Sequence, residues 1–231
     1  MALIIRIDVD RPYGKEGILR HLLSRISADL YFPRVDKFGY LAELRNILEL
    51  LNEANKSAYV FFRRCTFPSQ QILELIKKGH YEIGLHLENS RSFLTFRSEL
   101  HRLERHIGKP VMALSKHGSG KNKYGRRHYA PYEPSLYQDW ARWAGMRVLM
   151  GNAEDPSIRP TANNGNLVFF PSAFWLEPHW RDINKFTIPW LCAESKNRDI
   201  VLLFHPDNVM AEPVLKKDLE SIIKNTEVKL L

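Results

Sequence analysis

The chain has 231 residues, 44% of them hydrophobic, enough for one globular domain over 1–231 with a full core. No apolar run approaches the roughly 18 residues that cross a bilayer. Met1 leads straight into a strand pattern without an export signature, so the expectation is a cytoplasmic chain with no transmembrane segment. Thirty-four Lys and Arg outnumber 26 Asp and Glu, and the resulting charge of +8 favours anionic partners. No helix-turn-helix, zinc-finger or RNP-like pattern accompanies that charge, so nucleic acid is not expected among them. Cys65 and Cys192 are too few for a disulfide framework and read as small buried thiols.

Strands and helices alternate along the chain. The first strand covers about residues 3–9, and residues 14–29 carry a helical signal with Ile18, Leu22, Leu23 and Ile26 apolar. After a break at Tyr31-Phe32-Pro33, Tyr40, Leu41, Leu44, Ile47, Leu48 and Leu51 recur at helical steps. A strand over 57–62 follows, then a helix over 69–78 with Ser69 as N-cap and Gly79 as stop. A third strand ends at His86. A helix carrying Phe93, Phe96, Leu100, Leu103 and Ile107 closes at Gly108, and a fourth strand ends at His117. Residues 134–144 read as a helix, 146–150, 167–170 and 199–204 as strands, and 213–224 as a last helix. The aromatic segment 174–189 has no clear pattern. This alternation predicts a mostly parallel sheet with right-handed crossovers, and some seven strands suit an incomplete barrel.

Several apolar segments end in metal-binding side chains. Leu3–Val9 leads to Asp8 and Asp10, and three other segments end at His86, His117 and His205. In α/β folds that end of the strands is where sites are built, so convergence there predicts a divalent-metal hydrolase site. Asp8 and Asp10 share a strand face with Ile4 and Arg6. A cation removes their mutual repulsion and leaves one carboxylate to bind metal and one to take a proton from water. Lys116, Lys121, Lys123, Arg126 and Arg127, interleaved with Gly118, Gly120 and Gly125, form a cationic loop after the fourth strand. Such a loop would clamp an anionic substrate group, with Lys116, Lys121 and Arg126 as contacts and Glu88 nearby.

These residues resemble a known family. Ile5-Arg6-Ile7-Asp8-Val9-Asp10-Arg11-Pro12, then Lys78-Gly79-His80-Tyr81-Glu82-Ile83-Gly84-Leu85-His86, then His205 after an apolar strand, resemble the polysaccharide deacetylase superfamily. That superfamily is the NodB-homology domain, or carbohydrate esterase family 4. The resemblance runs in motif order over essentially the whole chain. Gly84-Leu85-His86-Leu87-Glu88-Asn89-Ser90, Ser115-Lys116-His117-Gly118-Ser119-Gly120 and Gly151-Asn152-Ala153-Glu154-Asp155-Pro156 resemble a divergent WbmS-like branch associated with O-antigen polysaccharide genes.

The resemblance implies a distorted (β/α) barrel of about seven strands, a Zn²⁺-type cation and hydrolysis of N-acetyl groups on sugars. It implies Asp8 as general base, Asp10 and His86 as metal ligands, and His205 as general acid. Without an export signature the expected substrate is intracellular, and the basic loop over 116–127 suits a nucleotide- or lipid-diphosphate-linked sugar. The chain departs from the family in one place: the second motif's second histidine is Ser90. His117 is the expected replacement ligand, with Glu88 next. The arginine-containing third motif is also replaced, by Lys116-His117-Gly118, which makes Lys116 the expected partner for orienting Asp8. The alternatives are a degenerate scaffold that binds glycan without cleaving it, or a hydrolase of another amide or an ester.

Overall fold

The structure is a computed structural model and describes residues 1–31, 34–118, 134–162 and 166–231. Its framework is one nine-stranded sheet. In chain order the strands are β1 Leu3–Val9, β2 Ala58–Phe62, β3 Tyr81–Leu87, β4 Ala113–Lys116, β5 Val148–Ala153, β6 Thr161–Ala162, β7 Val168–Ser172, β8 Phe174–Trp175 and β9 Ile200–Phe204. Their spatial order is β6-β7-β5-β4-β3-β2-β1-β9-β8. Every pairing is parallel except β6 with β7.

The sheet curls into a barrel because one stretch of chain serves both of its sides. β7 pairs with β5 and β8 pairs with β9, yet only Ala173 separates β7 from β8. Ala173 N–H donates to the Ala153 carbonyl, and Leu176 N–H donates to that of Leu203. Counting β7 and β8 as one bent strand leaves seven around the barrel, with β6 as an antiparallel addition. This is the distorted (β/α) barrel of about seven mostly parallel strands expected from the sequence.

The helices follow from their apolar spacing and caps. On α2, Ala42–Glu53, the buried residues are Leu44, Ile47, Leu48 and Leu51, one face at helical steps. The Ser69 side chain caps α3, Gln70–Lys78, by accepting from Ile72 N–H. Ser92 caps α4, Phe93–Ile107, which ends on Gly108 in the left-handed region. The remaining helices are α1 Ile18–Leu30, α5 Pro134–Trp143, α6 Ile188–Glu194, α7 Pro206–Ala211 and α8 Pro213–Asn225. Among the described residues no helix is long and apolar enough to cross a membrane.

Two cores result. Leu3, Ile5, Ile7 and Val9 join α2, α3, α4 and α8 side chains in the layer between strands and helices. Ile4, Tyr59, Phe61, Met150, Phe170, Trp175 and Leu203 fill the barrel interior. Gly84 and Gly151 let strands approach closely. A Cβ on Gly84 would lie 2.3 Å from the Phe61 ring, and one on Gly151 would lie 2.3 Å from the Pro171 carbonyl oxygen.

Two expectations from periodicity change. The strand expected over 111–117 is shorter, with His117 just past its end. The unplaced aromatic segment contains β8 and a 3₁₀ turn, Pro178–Trp180, too short for periodicity to register.

Candidate active site

The site lies at the C-terminal ends of β1, β3, β4, β5 and β9. On β1 the even-numbered residues point into the barrel, which sends Arg6 and Asp8 inward and carries Asp10 to the rim. Arg6 is fully buried and all of its donors are used. Its Nε and Nη2 donate to Asp8 Oδ1 at 2.9 Å and Oδ2 at 2.6 Å. Its Nη1 donates to the Gly151 carbonyl at 2.7 Å, and Nη2 donates to Asn152 Oδ1 at 2.8 Å. Asn152 in turn donates to the Lys116 carbonyl at 2.8 Å. Burial alone would raise the Asp8 carboxyl, but the Arg6 guanidinium holds it below its ordinary value. Asp8 therefore sits as an oriented carboxylate.

Asp10, His86 and His117 meet beside it. Asp10 Oδ1 is 3.3 Å from His86 Nε2 and 3.1 Å from His117 Nδ1. The two ring nitrogens are 3.2 Å apart. Among the described residues this is the one group whose ligand atoms converge well enough to hold a metal ion. A fit test supports it. Adjacent ligands of a four-coordinate ion with bonds of about 2.0–2.1 Å lie about 3.3 Å apart. Among the described residues Asp10 Oδ1 is also buried without a hydrogen-bond partner, as an oxygen reserved for a cation would be. Ser115 Oγ lies 2.6 Å from His86 Nδ1, which fixes the ring and leaves Nε2 facing the group. Burial and the nearby Arg63 push His117 down to about 4, so its imidazole stays neutral, the form a ligand needs. Burial pushes Asp10 up, but the facing His117 and His86 draw it well below the carboxylate range.

Asp8 stands apart from this group. Its Oδ2 lies 3.6 Å from His86 Nε2. Across the site, His205 Nε2 is 3.6 Å from Asp10 Oδ2. His205 Nδ1 is 2.8 Å from Glu177 Oε1, which also accepts from the His205 backbone N–H and from Asn208 Nδ2. Burial would lower His205, but the Glu177 carboxylate overrides it and raises the imidazole to about 10. His205 is thus held as an imidazolium with Nε2 toward the other groups.

The sequence-derived residues fall into three sets. Asp8, Asp10, His86, His117 and His205 come together. Glu88 and Lys116 are buried in the layer behind the ligands. Glu88 pairs with Arg63, whose Nη1 also donates to the Asp10 carbonyl at 3.0 Å. The Lys116 ammonium donates to the His117 carbonyl, and Arg6, not Lys116, holds Asp8. Lys121 and Arg126 lie outside the described residues. Sequence reasoning missed Arg6, Glu177 and Asn152 as parts of the site. The shared strand face of Arg6 and Asp8 was the available signal for the first. Glu177 gave none, since it sits in the unpatterned aromatic segment.

No protein-family model matches the chain, and no curated protein matches it. Solved structures do. The chain is similar to a Puue allantoinase at 13% identity and a TM-score of 0.57, over 96% of this chain and 83% of that one. It is also matched to the catalytic domain of a peptidoglycan N-acetylglucosamine deacetylase from Eubacterium rectale, at 13% identity and a TM-score of 0.49, over 96% and 82% of the two chains. A pseudoenzyme of the CE4 family from Bacillus anthracis matches at 13% identity and a TM-score of 0.49, over 98% of this chain and 62% of that one. At such identity the likeness to the allantoinase is one of fold, and that fold is the barrel implied by the motif resemblance.

Proposed function

We propose that this chain is a divalent-metal-dependent hydrolase that removes an N-acetyl or related N-acyl group from a sugar. Asp10, His86 and His117 are the residues that would hold the metal, with Zn²⁺ the ion suited to one carboxylate and two imidazoles. Such an ion supplies Lewis-acid polarisation of the acyl oxygen and lowers the pKa of water. Asp8, ionised and fixed by Arg6, takes the proton from the attacking water. His205, kept protonated by Glu177, gives its proton to the departing amine. The observation that carries this reading is the division of the two carboxylates. Asp8 is clamped by an arginine outside the ligand group, whereas Asp10 Oδ1, inside it, has no hydrogen-bond partner among the described residues.

The setting we propose is cytoplasmic synthesis of cell-surface polysaccharide such as O-antigen. The sugar would be nucleotide- or lipid-diphosphate-linked, with Lys121 and Arg126 meeting its phosphates. The fold likeness to an allantoinase favours one second reading, a hydrolase of another amide on the same machinery.

The test pairs metal content with acyl release. Purified protein loaded with Zn²⁺ is incubated with N-acetylated free, nucleotide-linked and lipid-linked sugars, and acetate is quantified. Acetate release that chelation abolishes is the expected result. Asp8→Asn should keep the metal and lose turnover, and His117→Ala should lose the metal while Ser90→Ala keeps it. One equivalent of bound zinc with no acyl release from any amide would instead mark a glycan-binding scaffold.

A further inference from the structure

Helix α1 is built with its apolar side facing solvent. Its buried residues are Ser24 and Ser27. Ser24 Oγ accepts from Tyr13 N–H at 3.1 Å and donates to the Gly14 carbonyl at 2.9 Å, which locks the serine side of the helix onto the turn after β1. Opposite that side lie Ile18, 91% exposed, Leu19, 61%, and Leu22, 53%, with Leu30 exposed at the end. Ile18, Leu22 and the half-buried Ile26 recur every four residues, so they form one stripe along a helix of about 20 Å. Exposing several large aliphatic side chains together costs hydrophobic free energy, and single scattered ones would need no explanation.

Two further observations say what this stripe is for. The first is charge. Residues 11–39, the excursion that carries α1, hold six Lys and Arg against three Asp and Glu. Arg25 is exposed on the flank of the stripe. An apolar stripe edged by cations matches the boundary of an anionic bilayer, where aliphatic side chains enter the acyl region and cations meet the headgroups. The second is position. α1 starts from the C-terminal end of β1 and contacts the turn Arg64–Thr66 just past β2, so it lies on the rim that surrounds the site. Lys15, three residues before it, donates to Asn208 Oδ1 at 2.9 Å, and Asn208 donates to the Glu177 that holds His205.

We infer that α1 is a surface-docking helix that seats the rim of the barrel on an anionic lipid bilayer. The docking does not depend on which bond the site cleaves. Its consequence for the site is that the mouth faces lipid headgroups, where a membrane-borne substrate would be presented.

Co-sedimentation of the intact protein with vesicles tests this. The probes are phosphatidylcholine alone and phosphatidylcholine mixed with phosphatidylglycerol. The wild type should bind the anionic vesicles, bind neutral ones far less, and release as salt rises. Leu19→Ser with Leu22→Ser should weaken binding at least tenfold. Arg25→Glu should weaken it several-fold, since each basic residue near the surface contributes about fivefold. Both variants change exposed positions, so their thermal melts should overlay that of the wild type. Absence of wild-type binding to anionic vesicles, or equal binding by the double serine variant, would overturn the proposal. So would a concentration-dependent dimer that the double variant dissociates, because the stripe would then belong to a second copy of the chain.

Discussion

The fixing of Asp8 depends on one side chain. Arg6 spends its donors on both Asp8 oxygens, the Met150 and Gly151 carbonyls and the Asn152 side chain, all inside the barrel. A buried guanidinium is tolerated only when satisfied this fully. Arg6→Met keeps the volume but leaves Asp8 as an uncompensated buried carboxylate. We expect a loss of about 3–5 kcal/mol, read from urea denaturation. A smaller loss, or none, would show that Asp8 protonates and relaxes without its partner. The chain made the pair legible in part. Two-residue spacing places Arg6 and Asp8 on one face, but strand spacing cannot say whether an arginine there turns to its own strand or to a neighbour. The sequence puts forward Lys116 in place of Arg6, and only the sheet's inside–outside sense sends Lys116 to the helix side. Glu177 was illegible for a different reason: it lies 28 positions before its partner His205, and only barrel closure brings them together.

Element by element, the strongest periodic signals held and the short elements did not register. α2 and α4 bury the faces their spacing predicts. The helix over 14–29 exists as α1, but Ile18 and Leu22, read as its apolar side, are the ones left exposed. Periodicity reports which residues share a face, not what covers it. The same limit applies to glycines. Gly151 reads as one more small residue in sequence, yet it supplies the carbonyl that Arg6 uses and lies against the backbone of β7. Gly151→Ala must push the Pro171 carbonyl away, and that obstruction is backbone. It should cost about 1–3 kcal/mol. A thermal melt that overlays the wild type would show that the β5–β7 seam yields freely at that point.

Taken as a whole, the molecule keeps a second set of charges out of water. Behind β3 and β4, Glu99 of α4 accepts from the backbone N–H groups of Glu88 and Asn89. Glu88 at the end of β3, Arg63 after β2 and Lys116 of β4 surround it. Burial, with help from the Glu88 charge, lifts the Glu99 carboxyl from its ordinary 4.5 to about 7. A carboxyl raised by folding contributes stability that is full below its unfolded value and is lost as pH rises through the folded one. The window therefore runs from about pH 4.5 to about 7. Urea midpoints measured at pH 5 and pH 7.5 should fall for the wild type relative to Glu99→Gln, which has no proton to lose. Parallel behaviour of the two proteins would mean that the surrounding cations keep Glu99 ionised throughout.

Barrel closure has a consequence of parity. Phe170 and Trp175 both face the interior although they are five positions apart, an odd separation that a regular strand would send to opposite faces. The chain therefore slips out of step once between them, near the place where β5 and β7 lose register. That slip turns Trp175 inward, and Glu177 two positions later with it. Removing a single residue between Phe170 and Phe174 would make that separation even, so a regular strand would carry Trp175 and Glu177 inward without a slip, whereas strict alternation at the present length would turn Glu177 out of the barrel and leave His205 without its carboxylate. At this seam the irregular strand is what keeps Glu177 beside His205 at the present length.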